Sequence, residues 1–309
     1  MTIKSEKLLT AILSALLLAL LFAPGCARSE GERGVASEIV QTPLFVAGQG
    51  GYHTYRIPAL LSTPKGTLLA FCEGRKTRRD DDGDIDLLVK RSSDGGETWS
   101  EQTIVYEEGS DAEITIGNPS PVVDEDTGTI WMPFCRDNKE VLVTKSSDEG
   151  LTWSEPVNIS KQVTKPQWTW VATGPGVSIQ LKQGPRKGRL VVPSDHAVMM
   201  GEQKIMHSHM FYSDDHGQTW QLGAALPEHT DECQVVELAG GELLLNMRSY
   251  WGRVANVAER DGKRAVARSS DGGATWEELG FDEADAVGAA FCHAMTWTGE
   301  EVIREAIST

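Results

Sequence analysis

Basic side chains are scarce in this sequence. Its 309 residues include 29 lysines and arginines against 45 aspartates and glutamates, which gives a net charge of −16. Because no basic surface is available to neutralise phosphates, this balance argues against a nucleic-acid partner and against binding to an anionic lipid surface. Hydrophobic residues make up 40% of the chain, enough for a sizeable core, so a disordered chain is excluded.

Cysteine pairs and helical patterns are missing too. None of the five cysteines belongs to a C-x-x-C pair, so zinc and thioredoxin-like sites have little support and we expect buried free thiols. Long amphipathic helical patterns are absent, which argues against a helical fold.

The N-terminus carries an export-type segment. Two lysines precede an apolar run at residues 8–22, which as a helix would span about 22 Å, less than the roughly 30 Å hydrocarbon core of a bilayer. This predicts an export signal rather than a membrane anchor. Residues 23–26 resemble a bacterial lipobox, so we expect lipidation at Cys26; cleavage after Ala27, which would leave a soluble secreted protein, is the alternative.

An octapeptide of the form S-x-D-x-G-x-T-W occurs four times, at residues 92–99, 146–153, 213–220 and 269–276. Its aspartates recur every 54 to 67 residues. The aspartate can accept hydrogen bonds from backbone amides, and the glycine can take a positive φ without steric cost. Each copy follows a strand-like run, so each predicts a hairpin between two strands, with a structural rather than catalytic aspartate.

Further β-type runs lie between these copies, at residues 67–71, 130–134, 189–193 and 242–246. Glycine and proline separate the runs. One small antiparallel sheet per repeat is typical of a β-propeller. We therefore predict an all-β propeller.

The octapeptides resemble the Asp-boxes, or BNR repeats, of the sialidase (neuraminidase) superfamily, whose members are six-bladed propellers. The resemblance extends from about residue 45 to residue 282. At the observed repeat spacing, residues 41–309 provide about four to five blades. The resemblance implies a six-bladed propeller of sialidase type that is incomplete in this chain.

Residues 55–60 resemble the sialidase Tyr/Phe-Arg-Ile-Pro motif, whose arginine holds the carboxylate of the substrate. The resemblance implies that Arg56 binds substrate. Strand alternation would place Tyr55 and Ile57 on one face and Arg56 on the other. A surface arginine on an edge strand is the alternative interpretation.

Residues 79–86 form an acidic loop that resembles the family loop with the pattern D-x-G-D-I. The match implies that Asp81 is the acid/base aspartate, or Asp80 if the loop is shifted by one residue. A solvated acidic loop without a catalytic role is the alternative. An EF-hand with its glycine at Gly83 would need an acid where Arg78 stands, so a calcium loop is not expected.

Residues 232–248 resemble the sialidase segment E-x-Q-x-x-E-L followed by L-N-x-R. The resemblance implies that Glu232 assists the nucleophile and that Arg248 is a second carboxylate clamp, with Glu237 as the competing glutamate. A softer match at residues 117–121 implies that Asn118 contacts the glycan. Ordinary charged loop residues are the alternative at each position.

Some aromatic and histidine residues have weaker support. Trp168, Trp170 and the pair Asp195-His196 are candidates for the rim of the sugar pocket. His207 and His209 alternate on one strand face, but no third ligand is evident, so no metal site is predicted there.

The implied chemistry suits a sialic acid. A planar guanidinium matches its carboxylate, and sialidases use a tyrosine nucleophile where most glycosidases use a carboxylate. A glutamate removes the phenol proton, and an aspartate protonates the leaving oxygen. The resemblance thus implies an exo-α-sialidase that hydrolyses terminal sialic acids with retention and needs no cofactor.

Two parts of the family pattern have no match. No tyrosine follows Tyr250, and the last arginine, Arg304, lies in a sequence unlike the third clamp. Residues 300–307 instead predict a short helix. We expect a sialidase sequence that is cut short, with very weak or no turnover. The alternatives are a non-catalytic sialoglycan-binding propeller and an Asp-box propeller with a structural role.

The chain is therefore expected to contain four segments: a signal peptide (1–26), a flexible tether (27–40), an incomplete sialidase propeller (41–284) and a divergent tail (285–309). We expect an exported monomer that is secreted, periplasmic or lipid-anchored. Its partners would be sialylated glycans or glycoproteins, and any membrane contact would be through a lipid on Cys26.

Overall fold

The computed structural model describes residues 42–109, 112–251, 263–277 and 279–282, and the backbone of two strands at 293–297 and 302–306. The chain divides into residues 1–42 and 43–309, and the elements below belong to the second unit. The expected signal peptide, Cys26 and the tether lie outside the described residues. Within the described part, no helix has the length and apolar character needed to cross a membrane.

The regular secondary structure of the described residues is almost entirely β, and most of it lies in four sheets that we call blades 1 to 4. Blade 1 contains β1 (Thr54–Ser62), β2 (Leu68–Arg75), β3 (Ile85–Ser92) and β4 (Thr103–Tyr106). Blade 2 contains β5 (Ile116–Gly117), β6 (Val122–Asp124), β7 (Thr129–Arg136), β8 (Glu140–Ser146) and β9 (Val157–Asn158). Blade 3 contains β10 (Trp168–Thr173), β11 (Ile179–Gln180), β12 (Leu190–Met200), β13 (Gln203–Ser213) and β14 (Gln221–Ala225). Blade 4 contains β15 (Thr230–Glu237), β16 (Leu243–Ser249), β17 (Arg264–Ser269) and β18 (Gly280–Asp282).

Three smaller elements complete the description. They are the hairpin of β19 (His293–Trp297) and β20 (Val302–Ala306), the short helix α1 (Ser160–Val163) and a 3-10 turn at Gly184–Arg186. The strand β20 shows that the helix predicted for residues 300–307 is wrong. Val302 and Ile303 are β-branched residues that pair across the hairpin with β19, and such pairing favours a strand.

Each blade is an antiparallel sheet; in blade 2 both β5 and β6 pair with β7, and in blade 3 both β10 and β11 pair with β12. Consecutive blades share hydrophobic cores. Phe71 of blade 1 and Phe134 of blade 2 share one core. Trp131 of blade 2 and Phe211 of blade 3 share the next. A third core joins blades 3 and 4. This arrangement confirms the predicted all-β propeller for the four blades described.

Each of the four octapeptides connects the last two strands of its blade, which confirms the hairpin prediction. In the first copy, Asp94 accepts hydrogen bonds from the hydroxyl of Ser92 and from the amide and hydroxyl of Thr98. The amide of Gly96 donates to the Ser92 hydroxyl. The same bonds recur in the other three copies. The aspartates are therefore structural residues of the turns.

These bonds predict acid sensitivity. Partial burial raises the pKa of Asp148, but hydrogen bonds from Thr152 and Ser146 outweigh this effect and lower the pKa to about 2. The pKa of Asp271 is lowered to about 2 in the same way. A carboxyl whose pKa is lowered by folding stabilises the protein above its unfolded pKa of about 4, and this stability is lost as the pH falls toward 2. We expect denaturant titrations to show this loss between pH 4 and 2, with a shallower slope in Asp148→Asn than in the exposed control Glu97→Gln. Equal slopes would contradict this account.

The cysteine prediction is confirmed for the described residues. Cys72, Cys135 and Cys233 are buried, and Cys72 and Cys135 are free thiols. Burial raises the pKa of Cys135 to about 12, so this thiol stays protonated and unreactive. Cys26 and Cys292 lie outside the described residues.

Candidate functional site

A cavity of 570 Å³ is lined by residues of all four blades, about half of them from the first strand of each blade or the segment just after it. Its volume falls within the range of about 300–1,000 Å³ that is common for small-molecule sites. The lining includes the five residues predicted as catalytic or substrate-binding, namely Arg56, Asp81, Asn118, Glu232 and Arg248. Residues that are far apart in sequence are thus brought to one place.

Arg56 reaches the cavity through an irregularity in β1. The pairing of β1 with β2 shifts register between Arg56 and Ala59, and Ile57 has a φ of 54°, which is a rare backbone conformation for a β-branched residue. As a result Arg56, Ile57 and Pro58 all line the cavity. The prediction that Ile57 shares a face with Tyr55 is therefore wrong, because alternation stops at this bulge. Sterically costly backbone of this kind often occurs at functional sites.

Asp81 lies between two arginines. Its Oδ1 is 2.5 Å from Nη1 of Arg56 and 2.9 Å from Nη1 of Arg75. Arg75 also donates to the backbone carbonyls of Arg79 and Asp80, so it holds the whole loop. The carboxylate of Asp81 lines the cavity and Asp80 does not, which favours Asp81 over its alternative.

A buried pair below this loop was missed from the sequence. Glu73 and Arg75, both on β2, are 3% and 2% exposed, and Oε2 of Glu73 accepts two hydrogen bonds from the Arg75 guanidinium. Burial raises the pKa of Glu73, and the charge of Arg75 opposes that rise. The other oxygen of Glu73 accepts from the amide of Asn118, at 2.9 Å. The pair therefore connects the Asp81 loop of blade 1 to Asn118 of blade 2.

Gly117 permits this connection. A Cβ at Gly117 would collide with the carboxylate of Glu73. The glycine before Asn118 is visible in the sequence. The reason for it, which is the close approach of the backbone to the buried carboxylate of Glu73, is visible only in the structure.

Glu232 and Arg248 form the blade 4 side of the cavity. Nη1 of Arg248, at the end of β16, lies 2.9 Å from Oε2 of Glu232 on β15 and 3.7 Å from Oδ2 of Asp231. Burial and the neighbouring Asp231 raise the pKa of Glu232, and Arg248 opposes the rise. A raised pKa makes this carboxylate a better proton acceptor once it is ionised.

The competing glutamate lies elsewhere. Glu237 accepts hydrogen bonds from the backbone amides of Lys182 and Gln183 and does not line the cavity. Glu237 therefore connects blade 4 to the loop of blade 3 that contains Lys182 and Gln183. The structure therefore favours Glu232 over Glu237 as the site glutamate.

Arg56 and Arg248 share a further property. The Nε atom of each is buried and has no hydrogen-bond partner among the described residues. A buried unpaired donor is costly, and an Nε atom enclosed in this way is not itself open to a ligand. Both guanidiniums nevertheless line the cavity, which thus offers two positive charges beside two carboxylates.

Asp195, Asp231 and Tyr250 also line the cavity, although they were not predicted as catalytic or clamping groups. Burial, with the neighbouring Asp231 and Glu232, raises the pKa of Asp195 well above its usual value. Burial and Asp231 also raise the pKa of Tyr250, so its phenol stays protonated. Alternation along β16 from Arg248 could have indicated Tyr250, two residues further on.

The weaker rim candidates divide between the two faces of blade 3. Trp170 and Asp195 line the cavity. Trp168 stacks on His196 with ring centroids 3.7 Å apart, and neither belongs to the cavity lining. His209 is buried and lies 3.1 Å from His196 between Nδ1 atoms. Burial lowers the pKa of His196 to about 3, so it stays neutral.

The described residues contain one group of three or more side chains with metal-ligand geometry: Asp124, Asp126 and His216. Asp124 is fully buried, and its oxygens accept hydrogen bonds from Gln180 and Thr127 and contact Nδ1 of His216. These partners satisfy the carboxylate, so the group is explained as a link between blades 2 and 3. His207 and His209 do not take part in it.

The chain is similar to known proteins over most of its length. The model of the BNR repeat-like domain family matches residues 66–299. A sialidase of Micromonospora viridifaciens is 36% identical over 258 residues, which cover 77% of this chain and 38% of the relative. A sialidase of Bacteroides fragilis is 31% identical over 258 residues, covering 75% of this chain and 44% of the relative.

Solved structures show the same similarity. The Hadza microbial sialidase Hz136 superposes with a TM-score of 0.65 at 33% identity, covering 75% of this chain and 47% of that one. The chain therefore spans less than half the length of these three relatives.

Proposed function

The chain belongs to the sialidase family with BNR, or Asp-box, repeats, and from this we propose that its cavity is the sugar site of an exo-α-sialidase acting on terminal sialic acids. One observation carries the proposal: two arginines from different blades, Arg56 and Arg248, line the same cavity beside Asp81 and Glu232. A sialic acid presents a carboxylate that a pair of guanidiniums can hold without a proton-dependent partner.

The proposed reaction is retaining. Asp81, which contacts Arg56, would protonate the glycosidic oxygen as the bond to the leaving group breaks. Glu232 would take the proton of a tyrosine that attacks the anomeric carbon, and water would later release the sugar with net retention. In this proposal the tyrosine and a third arginine belong to further blades of a six-bladed ring, because no residue up to Thr309 matches them.

A second candidate function is sialoglycan binding without catalysis. The missing match for the nucleophile favours it. Tyr250 lines the cavity, and burial and Asp231 raise the pKa of its phenol, which suits it to donate a hydrogen bond to a bound sugar. Both candidates need Arg56 and Arg248 to hold the sugar carboxylate.

Two measurements on the purified chain test the proposal. Calorimetric titration with a sialyllactose should show binding, and a fluorogenic sialoside should show very weak or no turnover. Absence of binding would overturn the sugar site. Robust hydrolysis would overturn the view that the chain lacks an essential blade, and a search of the downstream DNA in all frames for a tyrosine-bearing blade tests that view independently.

We also propose that the protein is exported as a monomer. The apolar run at residues 8–22 and the sequence before Cys26 support export. Mass spectrometry of the mature N-terminus distinguishes a lipid on Cys26 from cleavage after Ala27.

A further inference from the structure

Tyr250 gives the cavity a phenol that the proposed reaction does not use. All five tyrosines of the chain are among the described residues, and Tyr250 is the one that lines the cavity. Its side chain is half-buried, so part of it is open to a ligand. The tyrosines that lie elsewhere are Tyr52, Tyr55, Tyr106 and Tyr212.

Backbone pairing at the end of β16 fixes the position of Tyr250. Ser249, the last residue of β16, pairs with Thr230 of β15, and the amide of Tyr250 donates to the carbonyl of His229 at 2.9 Å. The pairing of the two strands shifts register just after Thr230, and Asp231, which lies in this shift, lines the cavity as well. Tyr250 and Asp231 are therefore held at the same end of the blade 4 sheet.

Asp231 is positioned as a base for this phenol. The side chains of Tyr250 and Asp231 hydrogen-bond to each other, and Asp231 is buried. Nη1 of Arg248 lies 3.7 Å from Oδ2 of Asp231 and gives this carboxylate a countercharge. A hydroxyl that is hydrogen-bonded to a base, with the base held by a third group, is the arrangement that activates nucleophiles in covalent catalysis.

Arg248 relates Tyr250 to the reacting carbon of a bound sugar. The guanidinium carbon of Arg248 lies 4.9 Å from the centroid of the Tyr250 ring. The carboxylate of a sialic acid is attached directly to the anomeric carbon, so an arginine that holds the carboxylate also holds this carbon close by. With the carboxylate on Arg248, as in the proposed function, the anomeric carbon lies beside Tyr250.

The proposed acid comes from a different part of the cavity. Asp81 belongs to blade 1, whereas Tyr250 directly follows the second strand of blade 4. Shared cores join blade 1 to blade 2, blade 2 to blade 3 and blade 3 to blade 4. Retaining glycosidases place the acid and the nucleophile on either side of the scissile bond, and the order of the blades provides this separation.

We propose that Tyr250, with Asp231 as its base, attacks the anomeric carbon of a sialoside bound in this cavity. The phenol proton passes to the Asp231 carboxylate as the phenol oxygen bonds to the anomeric carbon. The bond to the leaving group breaks with its electron pair on the glycosidic oxygen, which Asp81 protonates. Water then gives a proton to Asp81 and displaces the tyrosine, which recovers its proton from Asp231.

This inference rests on the proposed function and assigns it a nucleophile from the described residues. The attack is expected to be slow. Burial and Asp231 raise the pKa of Tyr250, and Arg248 only partly opposes this rise. Removing the phenol proton is therefore costly, which agrees with the very weak turnover expected of this chain.

A sialic acid with fluorine on the anomeric carbon and on the neighbouring ring carbon tests the inference on the full chain. The anomeric fluoride leaves without help from an acid, and the second fluorine slows release, so a covalent sugar accumulates. We expect intact-protein mass spectrometry to show one added sugar, and peptide mapping to place it on Tyr250. A chain that binds a sialyllactose but forms no adduct, or forms it on another residue, overturns the inference and leaves the sugar site standing. Failure to bind either sugar overturns both.

Variants separate the nucleophile from its base. Tyr250→Phe should abolish the adduct and keep the affinity for a sialyllactose within about tenfold, because it loses one hydrogen bond at most. Asp231→Asn should slow adduct formation by about 100-fold or more. Tyr106→Phe, which loses a hydrogen bond to Glu108 outside the cavity, should form the adduct at an unchanged rate. An adduct that persists in Tyr250→Phe, or an unchanged rate in Asp231→Asn, contradicts the assignment.

Discussion

Replacing Arg248 with alanine should weaken binding of a monosialoside by about 10- to 100-fold. The guanidinium supplies charge-assisted donors to the sugar carboxylate, and its loss also leaves Glu232 in the cavity without its ion-pair partner. Arg248→Lys keeps the charge but loses the planar fork, so an intermediate loss is expected. Calorimetric titration of each variant gives the comparison.

Arg268→Ala is the matched control for this prediction. Arg268, on the neighbouring strand β17, forms an exposed ion pair with Glu242 and does not line the cavity. Its replacement should leave the affinity within twofold. Unchanged affinity in Arg248→Ala, or an equal loss in the control, would show that Arg248 does not hold the ligand.

Replacing Arg75 with methionine should lower the free energy of unfolding by about 3–5 kcal/mol. The change leaves the Glu73 carboxylate buried without a countercharge and frees the carbonyls of the Asp81 loop from their donor. The double variant Glu73→Gln with Arg75→Met removes the buried charge as well, so it should recover part of the loss. Urea titrations measure both variants.

The double variant decides the cause of the loss. Recovery by the second substitution means that the uncompensated charge of Glu73 produces much of the effect. A loss below about 1 kcal/mol in Arg75→Met would contradict the view that this pair supports the site.

The sequence predicted the features that repeat or follow a local pattern. Four octapeptides with turn chemistry indicated four hairpins, and the intervening β runs indicated the remaining strands. The motifs around Arg56 and Arg248 lie on or beside the first strands of blades 1 and 4, whose segments meet at the cavity. The local pattern was sufficient to predict these site residues because the propeller topology brings such segments together.

Other features depend on contacts that no local pattern encodes. Glu73 and Arg75 lie in a strand that is otherwise apolar, and their role depends on the amide of Asn118 in the next blade. The bulge after Arg56 places the Ile57 side chain on the opposite face of the sheet from the one that strict alternation predicts. The strand β20 forms by pairing with β19, and that tertiary pairing overrides a helical reading of residues 300–307.

A crystal structure of the chain with sialic acid tests the central claim most directly. We expect the sugar in the cavity, with its carboxylate oxygens within about 3.2 Å of guanidinium nitrogens of both Arg56 and Arg248. A carboxylate bound by only one of these arginines, or a sugar bound outside the cavity, would contradict the account.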